Sequence, residues 1–176
     1  MNWVGSGDTF DLITVDALLK SHAQLMGVGD AYDTLLTAYV ASASEEIEAK
    51  VGFPLRYEDV TVYQITGDSG VLKLPKNINT VTTYYYWDNN TWNAQTFATA
   101  PVRNDYQLES ELVSADIKRW TRYKLVCTAN LNTSEKLKQA CRMRVAEMFE
   151  RREDQDVKYN DNTLDRLLRT ESVLIQ

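Results

Sequence analysis

Apolar positions recur at two different periods along the chain, and the change of period divides it. Thr14 followed by VDALLKSHAQLMG predicts a short helix over about 14–27, ended by Gly27. Gly29 and Asp30 open a longer helix over about 30–52, with Asp33 at the third helical position as a capping partner. Leu36, Val40, Ala43, Ile47 and Val51 recur at steps of 4, 3, 4 and 4, which is one helical face; Glu45, Glu46 and Glu48 lie off that stripe. Gly52 and Pro54 stop the helix. From about 57 to 130 the segments VTVYQIT, VLKLP, TVTTYYYW, TWNAQTF, DIKRW and YKLVCTA are short, β-branched and aromatic-rich, with GDSG, DNN and similar clusters between them. That pattern predicts an antiparallel meander. Ser134 then caps a third helix over about 134–153, with Leu137, Cys141, Val145 and Met148 as its stripe and Glu147 spaced to pair with Arg151. Residues 154–162 read as a polar linker, Asn162 as the cap of a short turn TLDRLLR, and TESVLIQ as the chain end. The expected fold is α+β: a small antiparallel helix bundle with an inserted β meander in one domain over 1–153, then a linker and C-terminal docking arm over 154–176. The stripes of the two long helices are expected to bury against each other.

The 176 residues suit one domain, and 44% hydrophobic with 25% charged is the composition of an ordinary globular protein. The formal charge of −6 disfavours a general binder of nucleic acid or anionic membrane. It is unevenly spread. Residues 1–60 carry 10 acids and 3 bases, 61–133 carry 6 and 7, and 134–176 carry 9 and 9, so the acidity belongs to the N-terminal third. MNWVGSGDTFDL lacks the positive start and apolar stretch of a secretory signal, and no apolar run reaches the length of a membrane span. Cys127 and Cys141 are too few for a disulfide framework and read as reduced, buried thiols.

Candidate chemistry is sparse. Gly67-Asp68-Ser69-Gly70 is the tetrapeptide that surrounds the nucleophile of chymotrypsin-like proteases, but a serine nucleophile needs a base, and the only histidine is His22, with no protease-like sequence around it. Between two strand-like segments, Gly-Asp-Ser-Gly is turn chemistry. No catalytic residue is expected. His22 lacks a second ligand at metal spacing, and Glu45 and Glu48 lack the Glu-x-x-His partner of a di-metal bundle, so no metal or cofactor is expected either. The glutamates read instead as a solvated or lumen-facing surface. Lys118, Arg119, Trp120, Arg122, Tyr123 and Lys124 pack four cations and two aromatics into seven residues, the composition of a single-strand binder. As a strand the run puts Trp120, Arg122 and Lys124 on one face and Arg119 and Tyr123 on the other, so it makes no single basic, aromatic surface. Ordinary sheet structure, a protein interface and a nucleic-acid patch all remain open for residues 118–124. Tyr84-Tyr85-Tyr86-Trp87 likewise sends aromatics to both faces, suiting a sheet core plus an intersubunit surface.

The order of elements resembles the tailed-phage head–tail connector family, the adaptors of the HK97 and SPP1 type. YVASASEEIEAKVGFPL (39–55) is similar to that family's second helix and the Gly-x-x-Leu that follows it. VLKLPKNINTVTTYYYWD (71–88) resembles its L-x-L-P strand pair, and SEKLKQACRMRVAEMFERRED (134–154) its last long helix. TLDRLLRT (163–170) matches the closing turn loosely, without its tyrosine, and Asn130 stands where the family commonly has glycine. The resemblance covers most of residues 12–170. It implies a structural virion protein with no enzymatic chemistry, made in the host cytoplasm and placed at the head–tail junction. There it would form a ring, usually twelve-membered, below the portal protein, extend the DNA channel, and offer a platform to the tail or a stopper or nozzle protein. Double-stranded DNA would pass without sequence-specific binding, and Glu45, Glu46 and Glu48 become candidate channel-facing acids, since like charge removes the attraction that counterion release provides. Lys118, Arg119, Trp120, Arg122, Tyr123 and Lys124 become candidate ring contacts. Arg166, Leu167, Leu168, Val173, Leu174 and Ile175 become candidate contacts of an arm that docks on a partner. No membrane is involved in this reading. The alternative is a single-stranded nucleic-acid-binding module using residues 118–124.

Overall fold

A computed structural model of the chain describes residues 1–25, 30–106, 109–131, 133–151 and Leu168. The elements run β1 (Asn2–Thr9), α1 (Ala17–His22), α2 (Asp33–Val51), β2 (Tyr57–Ile65), β3 (Val71–Pro75), β4 (Ile78–Asp88), β5 (Thr91–Ala94), β6 (Val102–Asp105), β7 (Glu109–Val113), β8 (Arg122–Ala129) and α3 (Glu135–Arg151). They fall into two compact units: Met1–Thr9 with Phe53–Leu131, and Phe10–Gly52 with Asn132–Gln176. The α+β class read from the sequence is the class observed.

The β unit is not a simple meander. One antiparallel sheet has the order β1-β2-β8-β4-β5 and a second the order β3-β7-β6. The last strand, β8, lies between β2 and β4, in the register Tyr63↔Lys124 and Tyr85↔Lys124. Its alternation explains the central place: Tyr123, Leu125, Cys127 and Ala129 are buried, while the residues between them face away. Those side chains join Val60, Val62, Leu72, Leu74, Ile78 and Leu112 in one core shared by both sheets. Two short linkers show why the strands start where they do. Asn89 and Asn90 both have positive φ, as a two-residue β4–β5 hairpin requires. Asn77, at φ 79°, turns β3 into β4 and donates its amide to the Pro54 carbonyl.

Three sequence expectations fail in this unit. β1 was not expected, because its glycines and serine mask the alternation. Trp3 packs edge-on to Tyr57, and Gly5 lies against the Tyr57 ring, where any β-carbon would collide. β6 and β7 were also missed; Arg103 ties them in, its guanidinium donating to the Ile78 and Asn79 carbonyls and to Ser110 Oγ, with Nε on Asp105. DIKRW is not a strand. Thr66 Oγ1 donates to the Lys118 carbonyl at 2.7 Å and accepts from Thr121 N at 3.0 Å, which folds 118–121 into a tight loop, so the strand starts only at Arg122.

The helical unit follows the sequence more closely. α1 is shorter than expected, and Asp16, not Thr14, caps it, its carboxylate accepting from Leu19 N at 2.7 Å. α2 begins at Asp33, which makes no cap; Lys20 draws the acids away, its ammonium lying 2.7 Å from Asp33 and 3.1 Å from Asp30. Gly52 closes α2 at φ 77°, as expected. Ser134 Oγ accepts from Leu137 N at the start of α3. Leu36, Val40, Ala43, Ile47 and Val51 are buried on α2, and Leu137, Ala140, Cys141 and Val145 on α3. The two helices meet at Ser44 and Cys141, 3.7 Å apart, and Ser44 also accepts from Leu12 N. Met148 is only half-buried. Phe149 is the buried residue at that end, edge-on to Tyr32 at 5.4 Å. Glu147 lies 3.5 Å from Arg144, one helical turn before it. Leu168, expected in a free docking arm, is fully buried.

Candidate interaction surface

The five-stranded sheet turns one face to the core and the other outward. Alternation along β2 sends Val60 and Val62 in, and Thr61, Tyr63 and Ile65 out. On β8 it sends Arg122 and Lys124 to the same outer face, and register places Ile65 opposite Arg122, and Tyr63 and Tyr85 on either side of Lys124. β4 and β5 add Trp87 and Trp92, which are directly paired. The rings touch: Trp87 and Trp92 are edge-on at 5.1 Å, and Tyr63 and Trp92 lie 6.1 Å apart. Lys124 Nζ sits 5.4 Å from the Tyr85 ring centre. Met1, Asn2, Tyr63, Ile65, Trp92 and Arg122 line most of an open groove of about 490 Å³ on this unit.

A basic, aromatic surface therefore exists, but its aromatics come from neighbouring strands and not from the 118–124 run. Within that run the residues divide. Tyr123 belongs to the core, fully buried, its hydroxyl accepting from Lys118 N at 2.9 Å; burial raises its pKa. Lys118 Nζ lies 3.9 Å from the Tyr86 ring centre. Arg119, Trp120 and Arg122 are exposed. Trp120 is 70% exposed at φ +53°, and its indole N–H donates to Asp68 in the GDSG turn at 3.0 Å.

The GDSG segment is a turn between β2 and β3. Gly70 takes φ +61° and its N–H reaches the Gly67 carbonyl. Ser69 is exposed, and His22 belongs to the other unit, at the end of α1. Among the described residues no group of three or more histidine, cysteine or acidic side chains could hold a metal.

The candidate acids of α2 separate as well. Glu45 is exposed, Glu46 accepts from Arg144 Nε at 2.7 Å, and Glu48 is buried. They do not form one open acidic face. Of the arm residues, Leu168 is buried, and Arg166, Leu167, Val173, Leu174 and Ile175 lie outside the described residues. Sequence reasoning missed Tyr63, Ile65 and Trp92 as surface residues. The available signal was the period-two phase of VTVYQI: once Val60 and Val62 point inward, Tyr63 and Ile65 must point out.

Among the described residues the architecture is α+β, with an antiparallel β unit of two sheets and a second unit that holds three helices. No protein-family model matches the sequence, and no curated protein does. Solved structures do match. A chain in the neck of an empty gene transfer agent particle, computed with C6 symmetry, superposes at TM-score 0.71 and 16% identity, over 99% of this chain and 96% of that one. A chain of the native gene transfer agent virion gives 0.71 and 18%, covering 100% and 98%. A chain of the native particle's neck, computed with C12 symmetry, gives 0.57 and 19%, covering 96% and 97%. This chain thus shares its fold, from end to end, with chains of phage-like particles and their necks.

Proposed function

We propose that the chain is a structural head–tail connector: a ring-forming adaptor that sits below a portal, extends the DNA channel and supports the next neck or tail protein. The observation that carries this reading is the end-to-end fold likeness to chains of gene transfer agent particles, two of them from necks computed with C6 and C12 symmetry. Cyclic symmetry demands heterologous contacts, and the exposed aromatic and cationic residues of the β unit are suited to them. The reading assigns the protein no catalysis; Ser69 serves the turn. Partners are further copies of the chain, a portal protein and a tail-side neighbour, with double-stranded DNA passing through. The HK97 or SPP1 subtype and a membership of twelve belong to the proposal, as does docking through Arg166, Leu167 and the apolar chain end.

The test is negative-stain imaging of the protein alone and mixed with portal-bearing, tailless heads. Rings on the portal vertex are expected. A protein that stays monomeric and does not co-sediment with such heads would overturn the reading. The grouping of Arg122 and Lys124 with Tyr63, Tyr85 and Trp92 favours a second reading, a single-stranded nucleic-acid binder. Salt-dependent retention on single-stranded DNA, lost on Arg122→Ala with Lys124→Ala, would support it.

A further inference from the structure

Exposed cations predominate at one end of the five-stranded sheet and exposed acids at the other. Beyond the β2 and β8 ends that meet at Ile65 and Arg122 lies a tip built from the 67–70 turn and the 118–121 loop. It exposes Lys118, Arg119, Trp120 and Arg122, with Asp68 and Ser69 of the turn beside them. The opposite end of the sheet, at the Ser6↔Asp59 and Thr9↔Tyr57 pairs, carries Asp8, Glu58 and Asp59, all exposed. Asp59 and Ile65 are six residues apart on one strand, roughly 20 Å. None of Arg119, Arg122, Asp8, Glu58 or Asp59 has an ion pair among the described residues.

The tip is built to present Trp120. A bulky side chain rarely takes φ +53°, and such strain persists only where the surroundings impose it. Here they do. The loop is cross-braced by Thr66 Oγ1 to Lys118 and Thr121, and Asp68 fixes the indole. The result is a preorganised aromatic, 70% exposed and flanked by arginines, the combination found at energetic centres of protein interfaces.

We infer that the Trp120 tip of one copy docks on the Asp8, Glu58 and Asp59 end of the β unit in the next copy. The inference rests on the ring reading and specifies the contact that closes it. The surfaces are different and complementary and lie at opposite ends of the sheet, so a contact of one tip with one acidic end is head-to-tail and propagates around a cycle. A nucleic acid fits the same residues less well. Its phosphates need a continuous basic track, whereas the outer face leads from Arg122 and Lys124 to Asp59.

The experiment uses the full chain, with assembly followed by mass photometry across a concentration series and on portal-bearing heads. Trp120→Ala and Arg122→Glu are expected to keep the wild-type circular dichroism, since both side chains are exposed, and to raise the concentration of half-assembly by about tenfold or more. Arg122→Glu combined with Asp59→Lys in one chain should restore assembly, because every contact then pairs the exchanged charges; a merely misfolded variant would not be rescued. Wild-type rings that neither variant weakens would overturn this contact while leaving the ring reading intact. A wild type that never assembles would overturn both. Loss of single-stranded DNA binding in Trp120→Ala, with assembly unchanged, would reassign the tip to nucleic acid.

Discussion

Ser69 and Gly70 sit side by side in the GDSG turn, and their substitutions separate turn from nucleophile. Ser69→Ala should leave the melting temperature and assembly unchanged, because the side chain is exposed. Gly70→Ala should destabilise by about 1–2 kcal/mol, because φ +61° is unfavourable for a residue with a β-carbon and that carbon would lie 3.2 Å from the Ile117 carbonyl. Thermal unfolding of the two variants checks both, and loss of a hydrolytic activity in Ser69→Ala would refute the turn-only role. Cys127 makes a second residue-scale case. Burial pushes its thiol up to about 12, only partly opposed by the Arg103 charge. The folded pKa is raised, so this contribution to stability is complete below the unfolded value of about 8.5 and declines as pH rises toward the folded one. Iodoacetamide at pH 8 should therefore modify Cys127 far more slowly in the native protein than in urea, read by peptide mass spectrometry.

The α2 and α3 seam was legible as a repeat of apolar residues at helical spacing, because one side chain in three or four decides where such a helix must bury. Ile47→Ala and Val145→Ala should each cost about 2–4 kcal/mol, measured by denaturant unfolding, since both side chains are fully buried and truncation leaves a cavity. Wild-type midpoints in both would refute the seam. Strands were less legible where pairing, not pattern, creates them. β1 carries Gly5 because Tyr57 needs the space, so the residue that permits the strand is the one that hides it. Local hydrogen bonds decided the fate of DIKRW: Thr66, distant in sequence, bends the chain at residues whose own propensities suit a strand. The interaction surface was half-legible for the same reason. Lys118 to Lys124 announced their chemistry, but only the β2-β8-β4 register shows which aromatics stand beside them.

Across the whole molecule, an arm that looks detachable in sequence has Leu168 as a core residue. Leu168→Ala should lower stability by about 2–4 kcal/mol by calorimetry. An unchanged transition would show that the segment contributes nothing to the fold. The N-terminal strand has a wider consequence. β1 pairs with β2 through Thr9↔Tyr57, so everything from residue 10 to 56 is a loop between neighbouring strands, and the sheet is completed only when β8 enters between β2 and β4. Closing so long a loop adds little to the equilibrium cost but slows the approach to it. During synthesis the first strand leaves the ribosome long before its partner exists, and the central strand is the last of the described strands to emerge. The β unit can thus be assembled only once β8 has been made, so a subunit exposes no finished tip to its neighbours before then.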